Sequence, residues 1–197
     1  MSEAIQIGIA SSVATLVISW GSLYLSHRLE LARQIRLREG EARVRTYASI
    51  VGQRLVLSQL YVSRFEAFIF SDYHDARWRL AGHPNDSLDL QEAQRWMHKS
   101  EDLALDVAKA NRELFEAVAS ARALFPESPK LEELADAVYR HSVPVISVRP
   151  DADMKASKLE AWKVKAVQEI QDLVATAVER PVDDLVEHIS HYVRSGA

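Results

Sequence analysis

From Ala4 to Leu25 the chain runs for 22 residues without one charged side chain. At about 1.5 Å per residue, a helix of that length reaches roughly 33 Å, enough to cross a hydrocarbon core of about 30 Å. Trp20 and Tyr24 stand near one end of the stretch, where amphipathic rings settle at a membrane–water boundary. A cleaved signal peptide is the first alternative, but such a peptide carries Lys or Arg before its apolar core, and here only Glu3 precedes it. A buried helix of a water-soluble fold is the second alternative, and the Ser and Thr residues that dilute the stretch leave it open. The expectation is a single transmembrane helix over residues 4–25.

Basic residues set the orientation. Arg28, Arg33, Arg36, Arg38, Arg43 and Arg45 follow the stretch closely, and none lies before it. The positive-inside rule then places the C-terminal domain in the cytoplasm and the short N-terminus outside, in a cell inner membrane. Six Arg against Glu30, Glu39 and Glu41 make residues 28–45 a +3 collar. With Glu3 the only charge before it and a net charge of −4, the remaining chain carries −6. Arg28, Arg33, Arg36 and Arg38 are candidate contacts for anionic headgroups, each well-placed cation contributing about 1 kcal/mol; a solvated topology signal is the plainer alternative. The acidic balance excludes a general nucleic-acid binder.

Beyond residue 25 the composition favours helix: six Gly and six Pro in 197 residues. The absence of Cys removes disulfides and thiolate metal sites. Val44, Ala48, Val51, Leu55, Ser58, Val62, Phe65 and Ile69 alternate by fours and threes, a heptad seam widened by Ile50, Leu57, Tyr61 and Phe68. Gly82-His-Pro-Asn85 is a loop, and Asp86 or Ser87 caps the next helix. That helix repeats the spacing from Leu90 through Ala93, Met97, Ser100, Ala104, Val107, Asn111, Leu114, Val118 and Ala121 to Phe125. Pro126-Glu-Ser-Pro129 breaks it; Ser128 caps a short helix with Pro129 first and Leu131, Leu134, Ala135 and Val138 inward. Val143 to Asp151 is an extended connection. The last helix starts near Asp153 and buries Leu159, Trp162, Ala166, Ile170, Leu173, Val174 and Ala177. Pro181 kinks or divides it, and Leu185, Ile189 and Tyr192 resume the face. The predicted fold is all-α: a transmembrane helix (4–25), a basic juxtamembrane helix (26–45) and an antiparallel, coiled-coil-like helical bundle (46–195).

The segment Arg28-Leu-Glu-Leu-Ala-Arg-Gln-Ile-Arg-Leu-Arg-Glu-Gly-Glu-Ala-Arg-Val-Arg-Thr-Tyr47, after a charge-free span, resembles a broad group of uncharacterised bacterial single-pass membrane proteins with a cytoplasmic helical domain. The resemblance covers about the first quarter of the chain. It implies the architecture and carries no activity or functional residue with it.

Chemistry is sparse. The six glycines are scattered, so no phosphate-cradling loop exists, and neither a nucleophile elbow nor HExxH occurs. No catalytic residue, cofactor or metal is expected. The nearest approach to a metal set is Asp184, His188 and His191, on one helical face by their spacing of four and three, with Glu187 adjacent; a solvated polar face beside Arg194 is the simpler account. His74 and His83 around Asp75 are a looser pair, and Asp151 and Asp153 read as turn and cap residues. Asn111 on a seam is a satisfied interior amide, a residue that a slight rotation of the helix leaves wet, or one that fixes register and partner number. Trp96, Trp162 and the Phe65–Phe68 region read as core.

Gly8, Ser11, Thr15, Ser19, Ser22 and Ser26 lie along one side of the span, where small hydroxyl residues permit close helix–helix approach. Hydroxyls bonding back to their own helix would make the stripe inert. The expected role is a non-enzymatic, membrane-anchored assembly or adaptor protein that docks itself or another chain. The alternatives are a membrane-perturbing defence or lysis effector, a signalling input subunit, and last a metal-dependent enzyme. The expected partners are the bilayer, a second copy of the chain and an unidentified protein.

Overall fold

The computed structural model describes residues 3–84, 87–125, 128–141, 149–151 and 154–195, with side chains from residue 23 onward except those of 141 and 195. Among these residues every regular element is helical, as composition predicts. The chain forms two compact units, Met1–Ala42 and Arg43–Ala197.

The first unit belongs to helix α1, Glu3–Leu80. Every described side chain from residue 23 to residue 39 is exposed. Among the described residues no helix is long and apolar enough to cross a membrane. The span expected at Ala4–Leu25 falls almost wholly on residues whose side chains lie outside the described set.

The second unit is a bundle of the rest of α1, α2 (Leu88–Leu124), α3 (Pro129–His141), α4 (Ala156–Val174) and α5 (Arg180–Ser195). α1 ends where Gly82 turns left-handed (φ +82°), which only glycine does cheaply. The Gly82 amide donates to Arg79 O and the His83 amide to Trp78 O, the paired bonds of a Schellman cap. The His83 ring packs edge-on against Trp78, and Trp78 Nε1 donates to Pro84 O. α2 then starts under Ser87, whose Oγ accepts the Asp89 amide at 3.2 Å. Of the two caps expected, this is Ser87; Asp86 lies outside the described residues.

Contacts along the pair show that α1 and α2 are antiparallel. The Arg43 guanidinium lies over the Phe125 ring, Gln53 donates to Glu113, Asn111 to Tyr61, Ser71 to Ala93 O, and His74 meets Asp89. α4 and α5 also run against α1, with Tyr73 bonded to Glu160 and Arg54 to Glu179 and Asp183. α3 returns along α2 through Phe115–Tyr139 and Arg122–Asp136. The chain reaches the Leu80 end of α1 by Pro150 and Asp151 before α4 begins. The antiparallel bundle expected from the short links is the fold observed.

The core corrects the expected face of α1. Val44, Ala48 and Leu55 are exposed, and Ile50, Leu57 and Tyr61, assigned to the flank, are buried. From Ser58 the two faces merge, and Phe65 and Ile69 are buried as expected. The buried line sits about one residue, or 100°, from the heptad line through Val51 and Ser58. On α2 the expected seam holds at Ala93, Ser100, Val107, Leu114, Val118, Ala121 and Phe125, while Met97 is exposed. Leu131, Ala135 and Val138 fill the inner face of α3.

The last helix starts at Ala156, not near Asp153, which lies outside the described residues, as do 142–148 of the expected extended connection. Near Pro181 it is divided, as expected, but by a change of helix type and not by a gap. A π-helical turn, Ala175–Glu179, precedes the proline, and the Arg180 amide donates five residues back to Ala175 O. Buried positions explain it: Ala166, Ile170, Val174, Val178 and Val182 follow at four-residue intervals. On an ideal α-helix each such step gains about 40°, so four steps would carry the line about 160° out of the core. A wider turn takes up that drift. It also eases Pro181, which has no N–H and whose ring crowds the carbonyl four residues back.

Candidate functional site

The polar side chains with the most chemical scope meet at one end of the bundle, where α2 ends, α3 begins and α5 finishes. Lys130, Leu134, Asp184, Glu187, His188 and His191 line a surface hollow of about 420 Å³. α3 supplies Lys130 from its first turn and α5 supplies the rest, because a spacing of four and three brings Asp184, His188 and His191 to one side of α5. The three expected metal candidates therefore do share a hollow. They do not make a metal centre: among the described residues no group of three or more His, Asp or Glu could hold an ion.

The His188 Nε2 lies 2.6 Å from the Ser128 hydroxyl, which faces inward on a residue only 5% exposed. Burial, with Lys130 and His191 close by, holds His188 below the usual histidine range, so near neutral pH the ring is uncharged and shares one hydrogen bond with the hydroxyl, in the direction its tautomer sets. Its ring also packs edge-on against Tyr192, which meets Phe125. Ser128, expected as a helix cap, thus ties the α2–α3 turn to α5.

The other candidates scatter. His74 pairs with Asp89 at 2.9 Å, Asp75 with Arg79, and His83 packs on Trp78. Asp151 O accepts the Met154 amide in a turn. Asn111 Nδ2 donates to the buried Tyr61 hydroxyl at 2.9 Å and so ties α2 to α1, while its Oδ1 is buried with no hydrogen-bond partner among the described residues. Phe65 is buried and Trp162 packs on the core. Trp96 stacks on Phe70 at 4.9 Å, and the Lys99 ammonium lies 4.6 Å from its ring centre.

Sequence reasoning missed the Arg54 cluster. Arg54 Nη2 donates to Asp183 Oδ2 at 2.6 Å and to Glu179 Oε2 at 3.3 Å, while Nε lies 2.6 Å from Asp183 Oδ1 at an angle too poor for a hydrogen bond. The Asp183 bond, more than the loss of solvent opposes it, binds the Arg54 proton more tightly than usual. One signal was available: Arg54 lies between buried Ile50 and Leu57, so it had to find an acceptor.

In the first unit Arg28, Arg33, Arg36 and Arg38 are all exposed, with the Arg28 guanidinium 5.2 Å from the Tyr24 ring centre. At 100° per residue they point about 0°, 140°, 80° and 280° around the helix, a ring and not a stripe. Of the self-association stripe, Ser26 alone has a described side chain; its hydroxyl donates to Leu23 O of its own helix at 2.9 Å. The side chains of Gly8, Ser11, Thr15, Ser19 and Ser22 lie outside the described residues.

Neither a protein-family model, nor a curated protein, nor a solved structure matches this chain.

Proposed function

We propose that the chain is a membrane-anchored helical adaptor, rooted by Ala4–Leu25 in a cell inner membrane, with its bundle on the cytoplasmic side docking protein partners. The observation that carries this is the arginine ring beside a charge-free stretch. A helix lying flat on a membrane segregates its cations to one face. Arg28, Arg33, Arg36 and Arg38 instead surround the helix, as suits one that emerges through a headgroup layer and meets anionic lipid on every side. An adaptor role, without chemistry of its own, is supported by where the bundle spends its polar groups. Arg54, Asn111, Gln53 and Ser128 bind helix to helix.

The test is fractionation of the full chain with a cytoplasm-active reporter fused after Ala197. The expected result is a chain that resists alkaline carbonate extraction and a reporter that works. A chain released by carbonate, or a reporter active only outside the cytoplasm, refutes the anchor or the orientation respectively. Affinity purification from native membranes then identifies the partner.

A further inference from the structure

The contact between Ser128 and His188 joins two segments that no covalent link holds together at this end of the bundle. Ser128 stands on the turn from α2 to α3, and His188 stands one turn before the Tyr192 ring that packs on Phe125. Phe125 in turn carries the Arg43 guanidinium at 5.2 Å, where α1 enters the unit. A chain of contacts thus runs from α5 through the end of α2 to α1.

We propose that this contact is an acid-sensitive latch: the neutral His188 ring holds α5 to the α2–α3 turn, and a proton taken from solvent releases it. The inference does not depend on the membrane anchor. In the latch the neutral ring carries its proton on Nδ1 and offers Nε2 as an acceptor to the Ser128 hydroxyl. Imidazolium has two N–H donors and no acceptor, so the Ser128 proton loses its acceptor, and the ring's Nε2–H chooses between the neutral Ser128 oxygen and a carboxylate, the stronger acceptor. Asp184, one turn back on α5, and Glu187 line the same hollow and supply that carboxylate. The charged ring swings toward those carboxylates and leaves a buried hydroxyl unpaired, a state that favours local opening.

Charges on every packed element bear on the ring. Burial opposes the proton most, and Lys130 on α3 and His191 on α5 add to it. Glu132 on α3 lies by Ser128 but is drawn with Arg122 of α2 into the neighbouring hollow. Arg122 is itself engaged by Asp136, and Arg43 by the Phe125 ring. Among the described residues, the carboxylates lining the ring's own hollow are Asp184 and Glu187, on the helix that is released.

The experiment is amide hydrogen exchange on the full chain in detergent micelles at about pH 7.5 and pH 5.5, corrected for the intrinsic pH dependence of exchange. Protection of the α5 amides and the start of α3 falls roughly three- to tenfold at the lower pH in the parent and less than about twofold in His188→Gln. Gln keeps a polar reach to Ser128 without a proton to gain. A parent whose protection does not change, or a H188Q chain that loses as much as the parent, overturns the latch. Nitrogen NMR of the parent's imidazoles decides the matter if H188Q does not fold. The latch requires a neutral His188 with bare Nε2 titrating below about 6.5; a ring bearing its proton on Nε2, or titrating at or above that value, overturns it.

Discussion

Two leucines two residues apart test the packing of α1 directly. Leu57 is fully buried and Leu55 is 51% exposed, although the heptad spacing favours Leu55 as the core residue. Leu57→Ala removes three carbons from a packed interior and leaves a cavity, costing about 3 kcal/mol. With a urea slope of about 2 kcal/mol per molar, the midpoint falls by about 1.5 M. Leu55→Ala gives up roughly 70 Å² of side-chain surface, of which about half already faces solvent. At about 25 cal/mol per Å² that is about 0.9 kcal/mol, less about 0.2 kcal/mol from alanine's better helix propensity. The assay is equilibrium urea unfolding of the full chain in mild detergent, followed by the fluorescence of Trp78, Trp96 and Trp162, all partly buried in the bundle. If L55A shifts the midpoint as far as L57A, the inner face of α1 is the heptad line and the described packing is wrong.

Asp183→Asn keeps one acceptor for Arg54 but removes its closer anionic partner; the bundle should lose about 1 kcal/mol, and the difference should shrink at high salt because Asp183 is half exposed. Ser100 is fully buried with an unpaired hydroxyl, so Ser100→Ala should leave thermal stability unchanged or raise it by about 1 kcal/mol; a loss above about 1 kcal/mol would mean that the hydroxyl has a partner. Burial, opposed by Arg149, lifts the Asp72 carboxyl above its usual range. The folded chain therefore holds that proton more tightly than the unfolded one, and the group's contribution to stability declines as pH rises from the ordinary carboxylate range through the raised value. Asp72→Asn should raise the melting midpoint at pH about 7 and make no difference near pH about 3; an equal effect at both would refute the account. Leucines at Ser11, Thr15 and Ser19 should keep membrane insertion and reduce cross-linked oligomers, where Phe at Ile9, Leu16 and Leu23 should not; unchanged cross-linking would leave the span as an anchor alone.

α2 was legible almost residue by residue, because one narrow apolar line from Ala93 to Phe125 leaves no choice of face. α1 was not, because apolar side chains encircle it: Val44, Leu55 and Val56 point outward and Ile50, Leu57 and Tyr61 inward. The choice between them is made by the apolar faces of the other helices that pack on Ile50, Leu57 and Tyr61, and no local pattern encodes that. Val178 and Val182 were overlooked because Pro181 was read as a break, although their four-residue steps from Ala166 already demanded more than an α-helix provides. The spacing of Asp184, His188 and His191 correctly brought them to one side of a helix. It could not reveal that Ser128, on another helix's threshold, had a claim on the middle one.

The π-turn bears on which changes in length the chain can survive. Deleting one residue from a packed α-helix rotates everything after it by about 100° and moves it about 1.5 Å, which would turn Leu185 and Ile189 out of the bundle. Within Ala175–Glu179 the same deletion takes away the surplus residue and leaves an ordinary α-helix, with α5 close to its present phase. An added residue keeps the phase only if a second such turn forms around it. The last helix is therefore asymmetric toward lineage drift: at one five-residue window it can be shortened by one codon without losing its place in the core, and elsewhere its length is held by every buried side chain that follows.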